Sequence, residues 1–347
     1  MIGRRVFLGA LALFAAALAF AAGSAYGADV TVRRREIVVS VIGNSRPSFR
    51  LEEASVAKVI AYWTKGIDRE IANRPDLVVL PENCDILTGL KSADRAKWIK
   101  MRGTKVREAL QAYAAKHGCY IAYSAHRERA DGRFANSCTL IDRTGKIAAT
   151  YDKNFPMTTE MDSPEFPIVP GTEAVVVDTD FGRLGFAICF DLNFPELMRA
   201  YAAKKPDVIV FASAFDGDFL QRAWARECQA YVISATVGAA LPGRVIDPAG
   251  GELRHENYYM PTFTAQVNTN FRVMHLDFNR EKFPDVIRKY GRRVTIRNPG
   301  SVGTVTLVSN DPGLPVDRVM EEFSLEPLTD YMARSRRVRE ENLRPAD

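Results

Sequence analysis

The sequence has little cysteine and little histidine. Its 347 residues include five cysteines and four histidines, with no CxxC pair and no Cys/His cluster. An odd and sparse set of cysteines is not the disulfide framework of a small secreted domain. Scattered histidines give no zinc-ligand spacing and little support for a His-dependent catalytic triad. The sequence therefore argues against a disulfide scaffold and predicts no metal site.

Phosphate-binding loops and large basic surfaces are also missing. No GxGxxG or GxxxxGK[ST] segment occurs, which argues against a doubly wound nucleotide-binding protein. The net charge is only +5, and the basic runs at 33–35, 292–293 and 334–339 are short. A nucleic-acid surface needs a wider basic face with interleaved aromatic residues. We therefore expect a globular protein with no nucleic-acid partner.

Only one long apolar run occurs, and it lies at the N-terminus. Residues 1–28, MIGRRVFLGALALFAAALAFAAGSAYGA, have a basic start, an apolar run and small residues before Asp29. This pattern is typical of an export signal, and Arg4-Arg5 resembles the twin-arginine type. We expect cleavage after Gly27 or Ala28 and a periplasmic or secreted protein. The alternative is an uncleaved anchor, for which the apolar stretch is short.

The rest of the sequence alternates short apolar runs with helical patterns. The run at 36–42 predicts a strand, and the spacing of apolar residues predicts helices over 51–73 and 97–117. Other runs pair through tight turns, as at 142–145. Mixed parallel and antiparallel sheets covered by helices, an α/β fold, are therefore expected.

The domain organisation is expected to be simple. The pattern of alternating strands and helices predicts one domain over residues 29–280. Residues 281–347 would then be a C-terminal extension, with a strand pair and a last amphipathic helix. We expect this extension to pack on the domain or on a partner subunit rather than to form a second core.

Three predicted strands end on reactive side chains. The run LVVLPE ends at Glu82, IAATYDK ends at Lys153, and GFAIC ends at Cys189. Each residue alone is more often structural, but strand ends are where α/β sheets place functional groups. A thiolate is a strong nucleophile, a carboxylate can take its proton, and an ammonium can stabilise a developing negative charge. Together the three groups predict a covalent catalytic site.

The contexts of these residues resemble those of the nitrilase superfamily of carbon–nitrogen hydrolases. The matching stretches cover most of residues 36–280: LVVLPEN, GKIAATYDKNFP, VPGTEAVVVDTDFGRLGFAICFDLNFPEL, WARECQAYVISA and GRVIDPAGGEL. The resemblance implies a four-layer α-β-β-α sandwich that usually forms homodimers or higher homo-oligomers. It implies no cofactor, and a small amide or carbamoyl compound as the substrate.

The resemblance also implies the roles of the site residues. Cys189 would be the nucleophile, Glu82 the general base, and Lys153 the oxyanion stabiliser together with the backbone N–H of Phe190. Many members have a second glutamate shortly before a Pro-Gly pair. Of the two candidates, Glu165 has the better spacing, and Glu160 is the fallback.

The residues after the cysteine indicate the kind of bond that is cleaved. True nitrilases typically have Trp-Glu there, whereas this sequence has Phe190-Asp191, which looks more like the amidase and N-carbamoyl branches. We therefore expect hydrolysis of a linear amide or N-carbamoyl compound through a thioester. Nitrile hydrolysis and a catalytically silent binding subunit remain as alternatives.

Further candidates for contacts with the substrate come from the flanking sequence. Phe190, Phe194 and Phe215 could line the pocket, although each is more often a core residue. Arg222 and Arg226 could meet a substrate carboxylate, but arginine on a helix beside Glu227 is more often structural.

Overall fold

The structure, a computed structural model, describes residues 33–237, 242–255, 260–300 and 302–343. The predicted export signal over residues 1–28 lies outside the described residues. All five cysteines are described, and all are free thiols. No helix in the described ranges is long and apolar enough to cross a membrane.

The described elements alternate between strands and helices along most of the chain. The strands are β1 Glu36–Ile42, β2 Leu77–Val79, β3 Tyr120–Glu128, β4 Phe134–Ile141, β5 Ile147–Asp152, β6 Val176–Thr179, β7 Gly182–Ile188, β8 Val208–Ser213, β9 Tyr231–Thr236, β10 Arg244–Ile246, β11 Glu252–His255, β12 Thr262–Asn268, β13 Phe271–His275, β14 Val294–Arg297 and β15 Thr304–Ser309. The α-helices are α1 Ala54–Asp68, α2 Ser92–Arg102, α3 Lys105–His117, α4 Thr158–Met161, α5 Pro195–Lys204, α6 Asp218–Cys228, α7 Phe283–Tyr290, α8 Val316–Glu322 and α9 Leu328–Leu343.

Two six-stranded mixed sheets form the centre of the molecule. Their strand orders are β12-β1-β2-β3-β4-β5 and β11-β10-β9-β8-β7-β6. The β1–β2–β3 and β7–β8–β9 pairs are parallel, and the neighbouring pairs are antiparallel. Each sheet thus has a parallel centre, which needs helical crossovers, and antiparallel edges, which tight turns can supply.

Three apolar clusters define four layers. One cluster lies between the sheets, where side chains such as Val39 and Phe186 are fully buried. A second cluster packs α1 to α3 on the outer face of the first sheet, around Trp63. A third packs α5 and α6 on the outer face of the second sheet, around Trp224. The order helix, sheet, sheet, helix confirms the expected four-layer sandwich.

The helix predicted over 97–117 is wrong in one respect, since the structure has two helices there. The first, α2, ends at Gly103, whose φ of 50° favours glycine. The side chain of Arg102 is buried and forms an ion pair with Asp85 at 2.7 Å, which holds the end of α2 against the sheet. The apolar spacing of α3 continues that of α2 closely enough to hide this break in the sequence.

The C-terminal part of the chain forms a small third sheet with the order β13-β15-β14. This sheet has an apolar core of its own, which the sequence did not lead us to expect. The core is formed by Met274, Val305 and neighbouring side chains from α7 and α8. The sheet also contacts the main domain. The hydroxyl of Thr306 donates to the buried carboxylate of Asp247 at 2.5 Å, and Arg297 donates to the hydroxyl of Tyr231 at 2.9 Å.

Candidate active site

The ends of three strands bring Glu82, Lys153 and Cys189 together. Glu82 follows β2 and Lys153 follows β5 of the first sheet, whereas Cys189 follows β7 of the second. The Nζ of Lys153 lies 3.2 Å from Oε1 of Glu82, and both side chains are at least 96% buried. Cys189 and Glu82 line the same cavity, and burial together with the charge of Glu82 raises the pKa of the Cys189 thiol. A thiol, a carboxylate and an ammonium therefore meet in one cleft.

The backbone turns sharply at Cys189. Its φ of 49° is a conformation that residues other than glycine rarely adopt. A short 3-10 helix, Cys189–Asn193, follows directly, and α5 then begins at Pro195. The N–H of Phe190 lies in the first turn of this 3-10 helix, where N–H groups have no partner within the helix. The turn places Cys189 in the lining of the cleft.

The turn is held by the buried carboxylate of Asp191. This carboxylate accepts hydrogen bonds from the N–H of Ile188 at 2.8 Å, the N–H of Phe155 at 2.9 Å and the hydroxyl of Tyr151 at 2.7 Å. Burial raises the pKa of Asp191 to about 6, although these hydrogen bonds oppose the shift. Asp191 thereby ties the nucleophile turn to the strand and loop around Lys153.

Burial also shapes the state of the nucleophile. Desolvation and the nearby charge of Glu82 raise the pKa of Cys189 to about 12, and they outweigh Lys153 and the N–H of Ala214, which lower it. The resting residue is therefore a neutral thiol near pH 7. A base would have to accept this proton for the sulfur to attack, and Glu82, which lines the same cavity, is a carboxylate that can do so.

Lys153 is charged despite its burial. Burial by itself favours the neutral amine, but the carboxylates of Glu82 and Glu160 outweigh it and raise the pKa of Lys153 above its ordinary value. Its Nζ donates to Glu160 at 2.9 Å and to Glu82 at 3.2 Å. The cleft thus contains a fixed ammonium that can stabilise negative charge.

Of the two glutamate candidates, the structure brings Glu160, and not the preferred Glu165, into contact with Lys153. The short helix α4 turns Glu160 towards Lys153, and the N–H of Met157 donates to its carboxylate at 2.8 Å. Glu165 is exposed, and no ion pair joins it to another described residue. In the sequence, the short distance from Glu165 to the Pro-Gly pair favoured that residue. In the structure, the short helix α4 lies between Lys153 and the Pro-Gly pair, and this helix contains Glu160.

Asn136 is a site residue that the sequence analysis missed. It lies on β4 between β3 and β5, and its side-chain amide donates to Oε1 of Glu82 at 2.7 Å. Its backbone carbonyl accepts from the N–H of Lys153 at 2.8 Å. Because Asn136 contacts both partners, it fixes the carboxylate of Glu82 relative to the ammonium.

A cavity of about 380 Å³ opens onto these groups. Glu82, Lys153, Glu160 and Cys189 line it. It is also lined by residues from the loops around it: Arg46, Asn83, Ile86, Ser92, Arg95, His126, Met157, Thr159, Ser163, Phe166 and Ala214. Such a volume is at the lower end of the range for small-molecule sites.

The aromatic and arginine candidates from the sequence do not line this cavity. Phe194 stacks on Phe155 with ring centroids 3.7 Å apart, and Phe215 packs against Phe211. Arg222 forms an ion pair with Glu252 at 2.8 Å, as its structural interpretation expected. The cationic side chains in the cavity besides Lys153 are Arg46 and Arg95, which the sequence analysis did not single out. Within the described ranges, no group of three or more potential metal ligands occurs.

The fold places this chain among the α-β-β-α sandwich proteins. A family model described as carbon-nitrogen hydrolase matches residues 47–259, which is more than half of the chain. The chain therefore belongs to the carbon–nitrogen hydrolases, in the amidase-like branch of the nitrilase superfamily. The resemblance inferred from the sequence is thereby confirmed.

Individual relatives agree with this assignment. The chain is 30% identical to the nitrilase and fragile histidine triad fusion protein NitFhit of Caenorhabditis elegans, over 76% of this chain and 66% of the relative. It is 26% identical to deaminated glutathione amidase of Dictyostelium discoideum, over 49% of this chain and 65% of the relative. The chain thus spans slightly less than two thirds of both relatives.

A solved structure shows the same fold. The structure of Nit3 of Saccharomyces cerevisiae, a member of branch 10 of the nitrilase superfamily, superposes with a TM-score of 0.58 and 21% identity. The match covers 67% of this chain and 90% of Nit3.

Proposed function

We propose that the protein hydrolyses a linear amide or an N-carbamoyl compound through a thioester on Cys189. One observation carries the proposal: Cys189, Glu82 and Lys153 meet in one cavity on the fold of the carbon–nitrogen hydrolases. Phe190-Asp191 after the cysteine and the amidase among the relatives support an amide or carbamoyl substrate over a nitrile.

In the first half of the reaction, Glu82 accepts the proton of the Cys189 thiol as the sulfur attacks the carbonyl carbon. The oxyanion that forms is stabilised by the ammonium of Lys153 and the N–H of Phe190. When the tetrahedral intermediate collapses, the C–N bond breaks, and the leaving nitrogen takes the proton from Glu82. Ammonia or an amine departs, and the acyl group stays on sulfur as a thioester.

In the second half, water replaces the departed amine. Glu82, again ionised, accepts a proton from this water as its oxygen attacks the thioester carbonyl. The same two donors stabilise the second oxyanion. The C–S bond then breaks, the sulfur recovers its proton from Glu82, and the free acid, or carbamate for a carbamoyl substrate, leaves.

The test is a panel of small amides, N-carbamoyl compounds and nitriles offered to the protein from Asp29 onward. Ammonia release and intact-protein mass would be measured together for the wild type and for Cys189→Ala. We expect release with the wild type only, and an acyl adduct on Cys189. Release that survives in Cys189→Ala would contradict the mechanism. Absence of both release and adduct would favour a binding subunit.

We further propose that the protein is exported and acts as a homodimer or larger homo-oligomer. The N-terminal pattern of residues 1–28 supports export, and family resemblance supports self-association. N-terminal sequencing of protein recovered outside the cytoplasm should begin at Ala28 or Asp29. Light scattering should give at least twice the mass of the mature chain.

A further inference from the structure

Building on the proposed function, we propose that the substrate carries a carboxylate, away from its scissile C–N bond, which Arg46 and Arg95 bind. Both arginines line the same cavity as Cys189. They come from separate parts of the chain, because Arg46 follows β1 and Arg95 lies in α2. Each guanidinium group that lines the cavity offers the forked N–H donors that suit a carboxylate.

Neither arginine has a carboxylate partner. No Asp or Glu oxygen of the described residues lies within 4.0 Å of either guanidinium. The Nε atoms of both are buried without a hydrogen-bond acceptor in the described part of the chain. Within the described part of the chain, the side chain of Arg46 makes one long hydrogen bond of 3.3 Å, from Nη2 to the backbone carbonyl of Glu82. Buried donors without acceptors are costly, so such a pair calls for an acceptor from a ligand.

The nearby ion pair of Arg102 and Asp85 offers a comparison, because Arg102 is a buried arginine that does not line the cavity. Arg102 is 6% exposed and lies 2.7 Å from Asp85, whose carboxylate also accepts from Tyr123. For this arginine, the chain supplies an acid. Among the described residues, Arg46 and Arg95 instead form no ion pair with an acid. Burial and the like charge of Arg46 lower the pKa of Arg95, and Glu160 only partly opposes them.

The buried imidazole of His126 is an independent observation that supports ligand binding in this cavity. Its side chain lines the cavity, the residue is 3% exposed, and Nε2 has no hydrogen-bond partner among the described residues. Burial, followed by the charges of Arg95 and Arg102, lowers the pKa of His126 well below its ordinary value. The imidazole is therefore neutral, and its unpaired nitrogen can take part in a hydrogen bond with a ligand.

The charge balance of the cavity points to an anion. Its lining contains three cations, Arg46, Arg95 and Lys153, and two carboxylates, Glu82 and Glu160. Both carboxylates contact Lys153. The positive charges of the two arginines therefore remain to balance the negative charge of a ligand. With the Cys189 thiol neutral at rest, a substrate with one negative charge neutralises the site.

The test uses two matched pairs of substrates. Glutaramate is compared with pentanamide, and 3-ureidopropanoate with N-propylurea, so that each pair differs only in a carboxylate replaced by a methyl group. For each pair the ratio of kcat/KM, acidic over neutral, is measured by ammonia release. We expect the wild type to favour the acidic member of at least one pair by about tenfold or more. The pair that shows the preference tells whether the site takes a carboxylate on an amide or on a ureido substrate.

Substitution then assigns the preference to residues. Arg46→Gln and Arg95→Gln should each reduce this ratio by about tenfold or more, since each removes a charge-assisted hydrogen bond. Arg95→Lys should keep part of the ratio. The control Arg337→Gln changes an exposed arginine of α9 and should leave it unaltered. A wild type that turns over both members equally would overturn the inference, as would arginine variants that slow both members by the same factor.

A binding measurement separates this inference from the proposed function. Calorimetry with the Cys189→Ala protein compares glutaramate, 3-ureidopropanoate and their neutral counterparts, with and without Arg95→Gln. If no compound is hydrolysed but an acidic one binds in a manner that needs Arg95, the anion site stands and the hydrolase proposal fails. If amides are hydrolysed but the acidic and neutral compounds bind alike, the anion site fails and the hydrolase proposal stands.

Discussion

At the scale of the residue, the catalytic cleft depends on charges that few sequence patterns reveal. Glu82, Lys153 and Cys189 could be predicted because each ends an apolar run, and runs of this kind are visible in the sequence. Glu160, Asn136 and the two cavity arginines could not. Their significance comes from contacts across the chain, such as Asn136 with Glu82, 54 residues apart.

Glu160 and Glu165 form a matched pair for a test at this scale. Glu160→Gln should lower kcat by about tenfold or more, because it removes one of two carboxylates that hold Lys153 charged and in position. Glu165→Gln should change kcat less than twofold, because Glu165 is exposed. Steady-state rates on the best substrate of the panel would decide. Equal losses in both variants would contradict the assignment of the second glutamate.

At the scale of the element, strands proved easier to predict than helix ends. The strand at 36–42 has the predicted bounds, since it is a short apolar run between polar residues. The helix predicted over 51–73 is shorter, Ala54–Asp68, and the one over 97–117 is broken at Gly103. Both differences come from tertiary contacts and a local backbone conformation, to which the spacing of apolar residues is insensitive.

The segment that follows α4 must pass very close to the strand that carries Lys153. A Cβ atom on Gly171 would lie 2.2 Å from the backbone oxygen of Asp152, and the N–H of Gly171 donates to the carbonyl of Lys153 at 2.8 Å. Gly171→Ala should therefore lower the free energy of unfolding by about 1–3 kcal/mol and reduce kcat. Urea unfolding and rates would be compared with Gly313→Ala, whose nearest new contact is a side-chain oxygen of Asp311 at 3.3 Å.

The connection between β1 and β2 is stabilised by the carboxylate of Asp76. It accepts from Arg35 at 2.8 Å, from the N–H of Val38 at 2.9 Å and from Arg143 at 2.6 Å. Burial by itself would raise the pKa of Asp76, but these donors outweigh it and lower the pKa below its ordinary value. The stabilisation is thus present above the unfolded-state pKa and is lost as the pH falls through the lower folded-state value.

Asp76→Asn should therefore cost about 1–2 kcal/mol of unfolding free energy at pH 7. The gap between the variant and the wild type should shrink as the pH falls below about 4, because the wild-type carboxyl then becomes protonated. Urea unfolding at several pH values would measure the gap. A gap that stays constant down to pH 2 would show that the charge of Asp76 does not contribute.

At the scale of the whole molecule, the third sheet is part of the fold. Phe271 and Val273 of β13 are buried in the cluster between the two large sheets, and β13 pairs with β15 along its length. A chain that stops at Arg280 lacks β14 and β15 and exposes this apolar strand. We expect it to aggregate or to lose cooperative thermal unfolding. A chain that stops at Ser335 removes mainly exposed residues of α9 and should unfold like the full protein.

The partly buried thiol of Cys189 has a consequence for resistance to oxidation and alkylation. Peroxides and alkylating reagents attack thiolates, and a thiol whose pKa is raised to about 12 is almost entirely protonated at neutral pH. Iodoacetamide should therefore modify Cys189 more slowly than it modifies free cysteine at pH 7, and faster as the pH rises towards 12; peptide mass spectrometry would follow this. In an oxidising medium, an enzyme of this kind would hold its sulfur as the less reactive thiol until a substrate arrives.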